Sequence, residues 1–193
     1  MAAQVEASTR RDWWRRYMDM FEKESDRACV ILTVSFMDEL LTLCLRSRLV
    51  ADHSATDSLF YGANAPFSTF SSKIDLSFRL GILSNRLAKD LHLIRRIRND
   101  FAHNIEGCDF ADTRVHNRVS ELRRSFATLL DSYSEPKQGL YPNGDRGDFQ
   151  FCASWIVDYL HEYSESVSAI NSATDEWGYD RKRIGERIAR RAT

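Results

Sequence analysis

Apolar residues recur every three to four positions through most of this chain, and that rhythm excludes most folds before any motif is considered. Asp12 is placed to cap a first helix running to about Lys23, with Trp13, Tyr17, Met20 and Phe21 on its apolar face. Ser25 starts a second, Asp26 to about Val50, whose broad apolar face holds Ala28, Ile31, Val34, Met37, Leu41, Cys44 and Leu45. Ser71 or Ser72 caps a short third helix through Leu80, and Gly81 ends it. The fourth covers Leu83 to His103, with Leu87, Leu91, Ile94, Arg98 and Phe101 in one stripe. Asp112 opens a fifth, to about Tyr133, that buries Val115, Val119, Leu122, Phe126, Leu129 and Leu130. A sixth runs from Phe149 to Ile170 and carries Trp155, Tyr159 and Tyr163 at four-residue spacing. No segment keeps the two-residue alternation of a strand. The fold class that follows is all-α, a single multi-helix bundle.

Punctuation divides this bundle. Residues 51–70 hold Gly62, Asn64 and Pro66, yet Leu59, Phe60, Phe67 and Phe70 make them too apolar for a free linker. An ordered loop pinned to the core is expected. Residues 134–148 hold two of the chain's three prolines and three of its eight glycines, the strongest boundary signal present. The expected organisation is a core over residues 11–133, then a loop and C-terminal helices over 134–193 that dock on it and end in a basic tail. Docking is expected because the aromatic face of the sixth helix needs cover. No apolar run approaches the length of a membrane span, and the N-terminus lacks an apolar signal core, so a cytoplasmic protein is expected. Cys29, Cys44, Cys108 and Cys152 are scattered with no C-x-x-C pair, which speaks against disulfides and a zinc site. No cofactor or metal is expected. The net charge is −1, so any attraction for nucleic acid must come from local patches.

The fourth helix carries the residues with chemical potential. Arg98 interrupts its apolar stripe, and a guanidinium that cannot lose its proton needs an anion or hydrogen-bond acceptors. Asp26 and Asp38 on the second helix are the expected buried partners. Lys73 and Asp75 on the third are expected to pair with the fourth. Arg86, Lys89, Arg95, Arg96 and Arg98 outnumber Asp90 and Asp100, a local phosphate-binding imbalance. Arg98 and His103 stand roughly 140° apart on an unbroken helix, whereas Arg95, Asn99 and His103 share one row. Both Arg98 and His103 can meet one substrate only if the helix ends near Ala102 or a second chain contributes.

The run PFSTFSSKIDLSFRLGILSNRLAKDLHLIRRIRNDFAH, Pro66 to His103, resembles the signature of the mannitol operon repressor (MtlR-type) family. SDRACVILTVSFMDELL, Ser25 to Leu41, is similar to that family's second helix, and CDFADTRVHNRVSELR, Cys108 to Arg123, matches more loosely. The resemblance covers residues 17–130 and implies an all-helical fold and a repressor-type regulator. The RNDFAH core also resembles the Arg-x4-His motif of HEPN domains, many of which are dimeric, metal-independent ribonucleases.

Two functions follow. In the first, the protein is a non-catalytic regulator acting through a protein or nucleic-acid partner, and Arg98, Asn99 and His103 are structural; no helix-turn-helix for direct base readout stands out. In the second, it is a HEPN-type endoribonuclease, with His103 as base, Arg98 clamping the phosphate and Asn99 orienting either group. Both anticipate a homodimer whose shared cleft draws on Arg95, Arg96 and Arg98 and receives RNA, DNA or an acidic protein segment.

Overall fold

Two of the helices begin at the N-caps read from the sequence, Ser25 and Asp112. A computed structural model describes residues 16–52, 54, 56–104, 107–129, 144–172 and 190. The Asp12 cap, the stretch 134–143 and the amphipathic basic tail from Asp175 lie outside the described residues. Helix α1 is described over 16–22. Helix α2, Asp26–Arg48, starts where the Ser25 hydroxyl accepts from the Ala28 N–H. Helix α3, Phe70–Arg79, is capped by Thr69, which accepts from Ser72 N–H at 3.1 Å, so the cap lies two residues before the first serine expected. Helix α4, Asn85–His103, is capped by Ser84, and helix α5, Thr113–Ser125, by Asp112. Helix α6 is Gly144–Ser166. Among the described residues there is no strand, and the fold is all-α.

Helices α2, α4, α5 and α6 close a ring: α2 packs on α4, α4 on α5, α5 on α6 and α6 back on α2. Inside it, Met37, Leu41, Cys44 and Leu45 of α2 meet Leu91, Ile94, Ile97 and Phe101 of α4. Val115, Val119 and Leu122 of α5 and Phe149, Cys152, Ile156 and Leu160 of α6 complete the core. All of these side chains are at most 1% exposed. Helix α3 lies against both α2 and α4. The loop before it is pinned as expected, with Phe60 buried against Phe67 and the Phe67 N–H donating to the Leu59 carbonyl. Helix α1 joins through Tyr17, whose hydroxyl donates to Thr33 Oγ1 at 2.7 Å.

Two expectations need correction. Helix α6 starts five residues before Phe149, inside the glycine-rich stretch read as a boundary. Gly in a helix interior costs about 1 kcal/mol against Ala, but a hydrogen bond and two ion pairs from this first turn offset it. Asp145 meets His116, Arg146 meets Asp26 and Asp148 meets Arg123. The second correction concerns membranes. By length and composition α2 is apolar enough to cross a bilayer, although no such segment was expected. Leucines on both sides of α2 produce this, since Leu32 and Leu43 face outward at 45% and 50% exposure while Leu40, Leu41 and Leu45 are buried. A buried ion pair nevertheless ties α2 into the bundle: Lys73 Nζ of α3, 5% exposed, lies 2.8 Å from Asp38 Oδ2.

Candidate functional site

Helix α4 runs unbroken to His103, and Asn104 is its C-cap, donating its N–H to the Asp100 carbonyl at 3.2 Å. The route that required the helix to end before His103 is therefore closed. Arg98 and His103 stay roughly 140° apart around one continuous helix. Phe101 on the buried face fixes this rotation by packing its ring, tilted, against Phe110 at 5.3 Å, which in turn meets Phe149 at 5.6 Å.

Arg98 is half-buried, not enclosed, and among the described residues its side chain donates from Nη1 to Asn99 Oδ1 at 3.4 Å and pairs with no acid. The expected carboxylate partners are occupied elsewhere. Asp26 holds Arg146 at 2.8 Å and Asp38 holds Lys73. Arg98 sits at the edge of the apolar stripe, where its aliphatic stem can lie on the core while its head reaches water. Lys73 pairs with α2 instead of α4. Asp75 does reach α4, with Oδ1 3.0 Å from His92 Nε2. Asp100 of the motif pairs with Arg118 of α5, and Arg118 also donates to the Arg96 carbonyl. These contacts weld α4 to α5 and remove the local acid that would neutralise the ridge.

What α4 presents outward is a row. Arg95 and Asn99 are half-buried, His103 is exposed, and Arg96 is exposed beside them. Among the described residues no acid pairs with Arg95, Arg96 or His103, and the Arg95 Nε is buried without an acceptor. Arg86 does not join this group: it stands nine residues earlier, about 14 Å along the axis. There it lines a shallow groove of about 570 Å³ with Ser84, Asp90 and Ser125. Asp90 is buried, accepts from the Ser125 hydroxyl at 2.7 Å, and has its carboxyl pushed above the usual range by that burial.

Nucleophilic thiols are not available in the core. Burial pushes Cys29 up to about 11 and Cys44 to about 12, and raises Cys152 further still. Such thiols stay protonated and unreactive. Among the described residues no three His, Cys, Asp or Glu side chains gather to hold a metal ion.

Arg146 is the residue that sequence reasoning passed over. Its Nη1 meets Asp26, and its Nη2 donates to the carbonyls of Phe21 and Glu24 at 2.9 and 2.7 Å. It thereby closes the end of α1 onto the start of α2. Arg27 does the same for α4 by donating to the Asn104 carbonyl. Cations at helix C-termini satisfy the last carbonyls and complement the helix dipole.

A chain in the X-ray structure of the MtlR–HPr complex from Escherichia coli has a similar fold, with a TM-score of 0.54 over 77% of this chain and 98% of that one. Sequence identity is 14%. The likeness is one of fold. No protein-family model and no curated protein matches the sequence. The MtlR-like resemblance in the motifs thus has a counterpart in architecture, the helical ring just described.

Proposed function

We propose that this protein is a non-catalytic, MtlR-type regulator that acts by docking a protein partner on the outward row of α4. The supporting observation is the unbroken α4, which separates Arg98 from His103 and leaves exposed Arg96 and His103, with half-buried Arg95 beside them, without acids among the described residues. Metal-free RNA cleavage needs a base and a phosphate clamp within reach of one phosphodiester. Within one chain this helix keeps them on different faces. A cationic ridge on a rigid, tightly packed helix suits recognition of an acidic surface, because fixed charges steer encounter and set register. Repression of the mannitol-operon kind would then run through that partner and not through base readout by this chain.

HPr is the natural probe, since the structure with the similar fold is a complex with HPr. Calorimetric titration of the purified protein with HPr should give saturable binding that weakens more than tenfold in an Arg95→Glu/Arg96→Glu variant. The same preparation should leave labelled RNA intact. Absence of HPr binding, together with EDTA-resistant RNA cleavage lost in His103→Ala, would replace the regulator with the nuclease.

A further inference from the structure

The outer face of α2 carries a feature that the α4 ridge leaves unexplained. Leu32, Leu43 and Val50 are 45%, 50% and 48% exposed, and half-buried Phe36 lies between the first two. At about 100° per residue Leu32 and Leu43 fall in one stripe, about 120–140° round the helix from Met37, while Phe36 turns toward α1 and stacks on Tyr17 and Val50 follows the extended C-cap Leu49. The two leucines stand about 17 Å apart along the axis. At its C-terminal end Leu43, Val50 and exposed Leu59 share a groove of about 390 Å³. The outer face of α2 is therefore more apolar than a helix face turned wholly to water usually is, with Leu32 and Leu43 set among Ser35, Glu39 and Arg46.

Two charges sit in this stripe, and they identify the cover. Glu39 is exposed and has no partner among the described residues. Arg46 is exposed, and its nearest acid is Asp57 at a loose 3.9 Å. They are seven residues apart, on the same face, with opposite sign. A parallel second copy of α2 would set Glu39 against Glu39 and Arg46 against Arg46. An antiparallel copy, related by a two-fold axis near residues 41–43, brings each Glu39 within one turn of the other copy's Arg46, twice by symmetry. The same apposition brings Leu43 of each copy close to the axis, and turns Leu32 toward the C-terminal end of the other copy's α2. A self-complementary patch of this kind is what a two-fold, isologous interface requires.

We infer that the protein forms a homodimer by antiparallel packing of α2 on α2, sealed by reciprocal Glu39–Arg46 pairs. This interface differs from the shared cleft that the Arg-x4-His motif invited. It lies on the side of α2 turned away from the core, so both α4 ridges remain free for partners, and the dimer is bivalent.

Sedimentation velocity of the full chain over a micromolar concentration series tests it. Wild type should run as a dimer, and Leu43→Asp as a monomer of unchanged helicity. Glu39→Arg and Arg46→Glu alone should each raise the dissociation constant at least tenfold. The double variant Glu39→Arg/Arg46→Glu should recover the wild-type value, because the swap rebuilds both pairs. A wild type that stays monomeric at high micromolar concentration overturns the inference, as does a dimer indifferent to Leu43→Asp. A monomer that instead floats with phosphatidylcholine vesicles would assign the stripe to a bilayer and overturn it equally.

Discussion

At the scale of single residues, charge placement separates structural from available cations. Lys73 is buried against Asp38, and Arg98 hangs at the rim, donating to its neighbour Asn99. Breaking a fully buried pair by removing one partner typically costs 3–5 kcal/mol, and Asp38 keeps some contact with water, so Lys73→Ala should cost about 2–3 kcal/mol. Arg98→Ala should cost less than about 1 kcal/mol, because it strands no buried charge. Urea unfolding of the two variants side by side checks the order; a more damaging Arg98→Ala would mean that Arg98 has a partner in the bundle. Asp90 supplies the pH dependence. Burial raises its folded pKa above the unfolded value, so the fold binds the proton more tightly. That contribution is complete below the unfolded carboxylate range and is lost as pH rises through the folded pKa. Asp90→Asn should therefore melt higher than wild type at neutral pH, with the gap narrowing on acidification. Thermal melts between pH 4 and 7 that show the gap widening toward acid would refute this.

At the scale of helices, what is local was legible and what is long-range was not. Ser25 and Asp112 cap α2 and α5 as read, because a capping side chain needs only the backbone two or three residues on, while Ser84, the cap of α4, was read as part of the helix. The α3 cap was misplaced within a run of hydroxyl residues, Ser68, Thr69, Ser71 and Ser72, that all offer the same oxygen. The start of α6 was hidden because Gly144 and Gly147 read as turn formers, while the contacts that hold them helical come from Asp26, His116 and Arg123 far away in sequence. Arg98 looked buried because helical spacing places it in the stripe; only the packing shows that it lies at the stripe's edge. The row Arg95, Asn99 and His103 was legible, since it depends on helical pitch alone. Arg146 offers the element-level prediction. Arg146→Ala removes the contacts to Asp26 and to the carbonyls that end α1, at a cost of about 2–3 kcal/mol for charge-assisted bonds to partly buried groups. Hydrogen exchange should show residues 16–22 losing protection before α4 does; uniform loss across the bundle would contradict this local role.

At the scale of the whole molecule, the ring closes only through α6. Phe149, Phe151, Cys152, Ala153, Ile156, Val157 and Leu160 are all at most 3% exposed, and they face α2 and α5. Each large apolar side chain contributes about 1.5–3 kcal/mol on full burial, together about as much as the 5–15 kcal/mol that keeps a typical domain folded. A fragment ending at residue 133 should therefore lack a cooperative melt by circular dichroism, and a sharp transition in that fragment would show that the first helices suffice. The same topology acts while the chain is being made. Helix α2, with leucines on both faces, leaves the ribosome roughly a hundred residues ahead of the helix that closes over it, and at about 5–20 residues per second that gap lasts about 5–20 s. Through that interval nascent α2 offers chaperones and membrane-insertion machinery a segment with the hydropathy of a bilayer span. The speed of translation between α2 and α6 thus becomes a determinant of how much protein reaches the native ring.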